Sequence, residues 1–250
     1  MMFKALRVRL SQGNQFIPDV REAKPTGFRG LPKFGPGACA SGCTDCMTSC
    51  PTGAIRLDPL SIDLGRCIFC SECVTACPEA KIELTPEPRM GAVARADLVL
   101  AAGATAESTK IRANEGLAKL FKRSLKLRQL SAGSCNGCEL ELNATANVNF
   151  DLQRFGIEWV ASPRHADALV ISGTLTRTMK NAVRLAWDAM SEPRFVVAVG
   201  ACAISGGLYD GASGVERSFL DDVIPALYVP GCPPHPLTFV NAVLDLLGVP

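Results

Sequence analysis

Twelve cysteines constrain this 250-residue chain more than any other feature. Eight lie in two tight runs, Cys39, Cys43, Cys46, Cys50-Pro51 and Cys67, Cys70, Cys73, Cys77-Pro78, and four follow much later, Cys135, Cys138, Cys202 and Cys232. This density is below that of small disulfide scaffolds, and the Cys-x2-Cys spacings suit metal binding better than disulfide geometry. A 4Fe–4S cubane takes four thiolates. Twelve cysteines therefore divide into three ligand sets with none left over, and such a chain is expected to carry electrons.

At this length, with 48% hydrophobic residues, two compact domains can form. The formal net charge is only +2, but residues 91–130 carry 8 basic and 3 acidic groups, and residues 131–250 carry 7 and 12. A basic middle thus precedes an acidic C-terminal half. The start, MMFKALRVRL, is short and basic without an apolar signal core. No apolar stretch approaches the roughly 18 residues that span a bilayer. These features predict a cytoplasmic protein that reaches a membrane only through partners.

Shifted by 27 residues, the N-terminal part overlays on itself: Cys43 on Cys70, Cys46 on Cys73, Thr48 on Thr75, Cys50-Pro51 on Cys77-Pro78, Ile55 on Ile82 and Leu57 on Leu84. Each half reads as a loop, a helical turn, Cys-Pro and a strand, at Ala54–Leu57 and Lys81–Leu84. The pattern resembles the bacterial two-cluster ferredoxin, whose run is C-x2-C-x2-C-x3-C-P. In that arrangement three closely spaced thiolates wrap one cubane and the fourth, beyond a helical turn, points at the other. The resemblance implies Cys39, Cys43, Cys46 and Cys77 around cluster 1, and Cys67, Cys70, Cys73 and Cys50 around cluster 2. Proline ends the turn after the fourth ligand. The first half departs from the pattern, because Cys67 overlays on Ala40 and Cys39 comes one residue early. Ser41-Gly42 can absorb the extra residue; the alternative is a three-iron cluster with Cys39 free. Phe28-Arg29-Gly30 and Gly65-Arg66-Cys67-Ile68-Phe69-Cys70 further resemble the polyferredoxin-type subunit of formate hydrogenlyase and its complex I relatives.

Pro86, Pro88, Gly91 and Gly103 mark a linker. Residues 109–127 then read helical, with Leu117, Leu120, Phe121 and Leu125 at helical spacing and Lys119, Lys122, Arg123 and Lys126 elsewhere around it. Such a helix either docks on an acidic partner or lipid headgroup, or is a solvated face covering a seam. Beyond it, strands at Leu127–Leu130, Ile157–Ala161, Ala168–Ile171, Phe195–Val199 and Ala226–Val229 alternate with helices, of which Thr176–Met190 and Leu237–Leu247 are the clearest. The expected fold is an α+β bacterial two-cluster ferredoxin domain followed by an α/β flavodoxin-like parallel-sheet domain. The expected boundaries are 1–90 for the ferredoxin domain, 91–126 for a basic linker and helix, and 127–250 for the α/β domain.

Cys135 and Cys138 follow the first strand of that domain, Cys202 the fourth and Cys232 the fifth, all beyond strand C-termini, where open α/β sheets bind ligands. The segments Cys135-Asn136-Gly137-Cys138-Glu139, Ser162-Pro163-Arg164-His165-Ala166-Asp167, Gly200-Ala201-Cys202 and Pro230-Gly231-Cys232-Pro233-Pro234 resemble the small subunit of nickel–iron hydrogenases and its complex I counterpart. The resemblance implies that Cys135, Cys138, Cys202 and Cys232 hold a proximal cluster beside a partner's active site. The complex I subunit begins its ligand set with an adjacent cysteine pair; this chain has Cys-x2-Cys instead, as hydrogenases do. Uptake hydrogenases place two further clusters C-terminally, whereas this sequence ends 18 residues after Cys232 and carries its extra cysteines N-terminally. The combination looks like the two electron-transfer subunits of a formate-hydrogenlyase-type, membrane-bound hydrogenase joined in one chain.

Expected partners are a hydrogenase large subunit of complex I type, the membrane subunits of the complex, and a low-potential donor such as ferredoxin or formate dehydrogenase. The catalytic centre is expected on the partner chain, with Glu139, and less so Glu141, as proton-transfer candidates. Both also suit a helix N-terminus. Arg164 and His165 are candidates for tuning cluster potential, with a structural histidine the alternative, and His235 reads as a helix-start residue. No G-x-G-x-x-G or Lys-Ser/Thr-ended glycine loop appears, so neither nucleotide nor flavin is expected, and no nucleic-acid motif accompanies the basic stretch. The competing functions are a complex I-like relay to quinone and a non-redox scaffold whose clusters hold the fold.

Overall fold

The computed structural model describes residues 2–13, 15–104, 111–122 and 124–250. After a helix α1 (Met2–Gln12), the N-terminal half contains β1 (Pro32–Phe34), α2 (Asp45–Thr48), β2 (Ile55–Leu57), β3 (Leu60–Asp63), α3 (Glu72–Ala76), β4 (Ile82–Leu84) and β5 (Val99–Ala101). The duplicated loop, turn and strand order expected from the sequence recurs here as α2–β2 and α3–β4. The two repeated strands pair with different partners. β4 runs antiparallel to β1, and β2 runs antiparallel to β3, whose other edge takes β5.

The C-terminal half follows α4 (Glu115–Phe121) with β6 (Leu125–Ser131), α5 (Gly137–Ala144), β7 (Ile157–Trp159), β8 (Ala168–Ser172), α6 (Lys180–Asp188), β9 (Phe195–Val199), α7 (Gly200–Ser205), α8 (Ser218–Asp222), β10 (Leu227–Val229) and α9 (Pro236–Leu246). Its five strands are parallel in the order β7-β6-β8-β9-β10. Counted within the domain this is 2-1-3-4-5, the flavodoxin-like order with its switch point between the first and third strands. β8, β9 and β10 are buried at every position, as a sheet covered on both faces requires.

Alternation along the strands divides two cores. Ala168, Val170, Val197 and Val199 face the side closed by α9 and Phe121. Leu169, Ile171, Val196 and Ala198 face a second core that contains Ile55, Ile62, Leu64, Ile82 and Leu98 of the N-terminal half. The cysteine-rich module therefore serves as part of the layer covering one face of the sheet. Each Leu or Ile fully buried there contributes about 1.5–3 kcal/mol, so this joint is a core rather than a tether.

Three features tie segments together across the expected boundaries. β5 pairs with β3 in the register Ser61 to Ala101, so part of the stretch assigned to a linker completes an N-terminal sheet. Ala92 bridges antiparallel to Tyr228 of β10, so another part adheres to the C-terminal sheet edge. Residues before the ferredoxin module strap onto α9. Arg21 donates to Asn241 Oδ1 at 3.0 Å and Asp245 Oδ1 at 2.7 Å, and Asn241 Nδ2 donates to Val20 O at 2.9 Å. The helix read over 109–127 is shorter, Glu115–Phe121, with Leu125 and Lys126 already in β6; positions 109 and 110 and Arg123 lie outside the described residues. Asn114 caps this helix by accepting from Leu117 N at 3.0 Å.

Candidate iron–sulfur sites

The thiols form three groups. Cys46 lies within electrostatic reach of Cys77, Cys39 and Cys43. Cys67 lies within reach of Cys73, Cys50 and Cys70, and all four line one largely apolar pocket with Ile55, Ile62 and Leu84. Cys138 lies within reach of Cys202, Cys232 and Cys135. Cys77 of the second run is thus within reach of Cys46, and Cys50 of the first run within reach of Cys67. Cys39, despite its odd spacing, sits with the first group and is exposed.

The groups also lie within electrostatic reach of one another. Cys73 feels Cys46 of the first group, and Cys232 feels Cys70 of the second. The order is therefore first, second, third, with the Cys67–Cys77 run in the middle.

Burial, the dominant influence, pushes the Cys67 and Cys138 thiols up to about 12 and those of Cys73 and Cys202 to about 11; neighbouring thiols add to it. Burial likewise raises Cys46 and Cys232. Four thiolates could not share such a place without a cation to compensate them. Yet among the described residues no three His, Cys, Asp or Glu side chains draw together as a single ion requires. A mononuclear tetrahedral site gathers sulfurs about 2.3 Å from one atom. A cubane offers one iron to each thiolate at separate corners.

The backbone is shaped around the sulfurs. Ala54 N donates to Cys50 Sγ, Phe69 N to Cys67 Sγ and Lys81 N to Cys77 Sγ, each at 3.3 Å. Phe69 and Ser71 hold positive φ of 55° and 71°, a conformation costing roughly 1–2 kcal/mol for a residue with a β-carbon. Arg29 braces the same loop, its Nη1 donating to Cys70 O at 3.1 Å and Ser71 Oγ at 3.3 Å. In the third group, Gly200 at φ +84° leaves the room that Cys138 Sγ occupies; a β-carbon there would lie 2.7 Å from the sulfur.

Glu139 accepts from Ser172 Oγ at 3.0 Å, which anchors its carboxylate at the carboxyl end of β8. Burial raises the Glu141 carboxyl above its ordinary range, and that residue lines an open cavity with Arg29, Phe69, Cys232 and His235. His235 caps α9, its Nδ1 accepting from Leu237 N at 3.1 Å. Arg164 and His165 are exposed on the 3-10 turn Pro163–His165. Arg217 favours the Cys202 thiolate, an influence smaller than the burial and neighbouring thiols that oppose it. Sequence reading passed over Arg217 because it lies in a loop with no motif around it.

A duplicated ferredoxin module set against an open parallel sheet, with thiols gathered at the sheet's carboxyl edge, defines an iron–sulfur protein of the electron-transferring class. The 4Fe-4S dicluster domain matches residues 38–82, and the family described as NADH ubiquinone oxidoreductase, 20 Kd subunit, matches residues 135–246. Formate hydrogenlyase subunit 7 of Escherichia coli (strain K12) is 40% identical over 134 residues, 53% of this chain and 52% of that protein. The probable membrane-bound hydrogenase subunit mbhJ of Pyrococcus furiosus is 37% identical over 129 residues, 51% of this chain and 77% of that protein. An NADH-quinone oxidoreductase subunit of Citrifermentans bemidjiense is 44% identical over 110 residues, 44% of this chain and 64% of that protein. The chain belongs to the NADH ubiquinone oxidoreductase 20 kDa subunit family, with a dicluster ferredoxin domain ahead of the family domain. It spans about half the length of the formate hydrogenlyase subunit it matches.

Proposed function

We propose that this chain is the electron-transfer subunit of a membrane-bound oxidoreductase complex of the hydrogenase and complex I type. It relays electrons through three 4Fe–4S clusters toward a nickel–iron centre on a partner large subunit, where protons are reduced to dihydrogen. The cubanes supply one-electron chemistry. Cys39, Cys43, Cys46 and Cys77 hold the first, Cys50, Cys67, Cys70 and Cys73 the second, and Cys135, Cys138, Cys202 and Cys232 the third. The observation that carries this reading is the gathering of the thiols into three groups that lie within electrostatic reach of one another, Cys46 of Cys73 and Cys70 of Cys232. The remaining residues exclude water, direct N–H groups at sulfur and hold the two modules in register.

Cys135 and Cys232 are exposed, which suits a site completed by a large subunit. Glu139 stands one residue from Cys138 and is placed to pass protons at that border. Among the described residues no helix is long and apolar enough to cross a membrane, and a peripheral position on the cytoplasmic face through membrane subunits follows from the proposed complex. The donor is a low-potential protein such as ferredoxin or a formate dehydrogenase.

The complex I reading ends the same relay at quinone; the absence of adjacent cysteines from the sequence favours the hydrogenase. Anaerobic purification with iron and sulfide analysis, EPR of the reduced complex, and parallel hydrogen-evolution and quinone-reduction assays test the proposal. About twelve irons per chain, three low-potential signals and hydrogen evolution support it. Quinone reduction without hydrogen turnover overturns the nickel–iron assignment, and clusters inert to potentiometry overturn the relay.

A further inference from the structure

Where the ferredoxin module meets the α/β domain, three arginines converge. Arg95 grips Asp63 through two contacts of 2.8 and 2.7 Å. Arg66, the residue before Cys67, donates to Asp210 Oδ2 at 2.6 Å and Thr52 O at 3.1 Å. Arg217 lies within electrostatic reach of both these arginines and of Asp210 and Asp221. Its Nη2 donates to the Ile204 carbonyl at 2.6 Å, two residues beyond Cys202 on α7. Ile204 in turn meets the ferredoxin module: a β-carbon at Gly65 would stand 2.7 Å from Ile204 Cγ2 and 2.9 Å from Arg95 Cζ. The seam is thus closed tightly, and a partly buried cation is fixed against the helix that carries one thiol of the third group.

We propose that Arg217 is a positioning residue for the third site: its guanidinium holds the turn of α7 bearing Cys202 and fixes a positive charge on the helix that carries that sulfur, raising the reduction potential there. The inference rests on the assignment of Cys135, Cys138, Cys202 and Cys232 as one cluster's ligands. A reduced site carries one electron more than the oxidised one and no protein bond changes, so a nearby cation favours the reduced form. Two carboxylates oppose it. Asp210 is taken up by Arg66 and Asp221 acts at longer range, whereas Arg217 itself is directed at a carbonyl on the ligand helix. The effect should be largest at the third site, since the Arg217 guanidinium is hydrogen-bonded to the helix that carries Cys202.

EPR-monitored redox titration of the anaerobically purified holoprotein, with the third signal identified by its loss in Cys202→Ser, tests this. Arg217→Gln should lower the electron occupancy of that site relative to the ferredoxin clusters about tenfold, equivalent to about 59 mV for one electron. Arg217→Lys should restore most of the shift, because it keeps the charge. Asp210→Asn, which removes a neighbouring negative charge, should shift occupancy the opposite way. If Arg217→Gln fails to assemble the site, the Asp210→Asn and Arg217→Lys titrations decide. An unmoved third signal in the charge-altering variants, or a lysine variant that behaves like glutamine, overturns the inference. A wild-type holoprotein without a third signal would instead sink the ligand assignment, and this inference with it.

Discussion

Replacing Gly200 by alanine tests the third site without touching a cysteine. Gly200 opens α7 directly after β9, at φ +84°, and an added β-carbon would stand 2.7 Å from Cys138 Sγ. The left-handed backbone alone costs a residue with a β-carbon about 1–2 kcal/mol. Forcing a methyl into the sulfur's place adds about 1–3 kcal/mol of overpacking. Relief by sliding is blocked, because the Gly231 carbonyl lies 3.5 Å and Pro234 Cδ 3.9 Å from the same point. The total, about 2–5 kcal/mol, is a large share of the roughly 5–15 kcal/mol that stabilises a domain, but it falls on one loop junction. The ferredoxin groups lie in other loops and feel none of it. Gly200→Ala should therefore lose or distort the third cluster selectively: iron should fall from about twelve toward about eight per chain, and one of three EPR signals should vanish or broaden. Full iron content, three unaltered signals and unchanged thermal stability would refute the argument that Gly200 exists to seat Cys138.

Other consequences are smaller in scope. Cys39→Ser should convert or empty the first cluster only, read as a loss of one to four irons with the other two signals intact; an unchanged spectrum would place Cys39 outside the ligand set. Arg95→Ala breaks the two-point grip on Asp63 across the N-terminal module, leaving its carboxylate the Gly65 amide at 2.9 Å among the described residues. It should cost about 2 kcal/mol by denaturant titration of the holoprotein, a partly buried charged pair being worth roughly 1.5–3; a change below about 0.5 kcal/mol contradicts the seam's role. Stripping the clusters exposes a pH dependence of definite sign. Cys67 and Cys138 are raised from 9.0 to about 12 by burial, so the neutral thiol favours the folded state. That contribution is complete below pH 9.0 and is lost as pH climbs toward 12. Circular dichroism should find cluster-free chain unfolding through that window, with cluster-loaded chain resisting it because its sulfurs are already bound.

Legibility in the sequence followed the strength of local pattern. The cysteine spacings, the repeated Cys-Pro turns and the apolar runs at Phe195–Val199 and Ala168–Ile171 are local signals, and the thiol groups and the sheet follow them. β1, β3 and β5 were not legible: three or four residues alternate too briefly for periodicity to register, and β5 earns its place only by pairing with Leu60–Asp63, about forty residues earlier in the chain. The strap of Arg21 onto Asp245 joins residues 224 apart, a contact no local signal encodes. Arg164 attracted attention because it sits inside a recognisable word, yet the cation acting on Cys202 is Arg217, in an unremarked loop. Motifs report which residues a family keeps together in sequence; they say little about which loop folds back over a given sulfur.

The joint between modules bears on what a relay of this kind needs. Electron hopping depends on fixed separation, and a flexible tether would let the ferredoxin groups wander from Cys232. Here the N-terminal module contributes Ile62, Leu64 and Leu98 to the same core as Leu169 and Ile171 of the sheet. The connector is itself pinned twice near its start, by Ala92 against Tyr228 and by β5 on β3. Gly65, with no side chain to hold the surfaces apart, lets the loop before Cys67 settle onto Ile204. Separation between the middle and third thiol groups is thus a property of packing, with the stiffness of a protein interior.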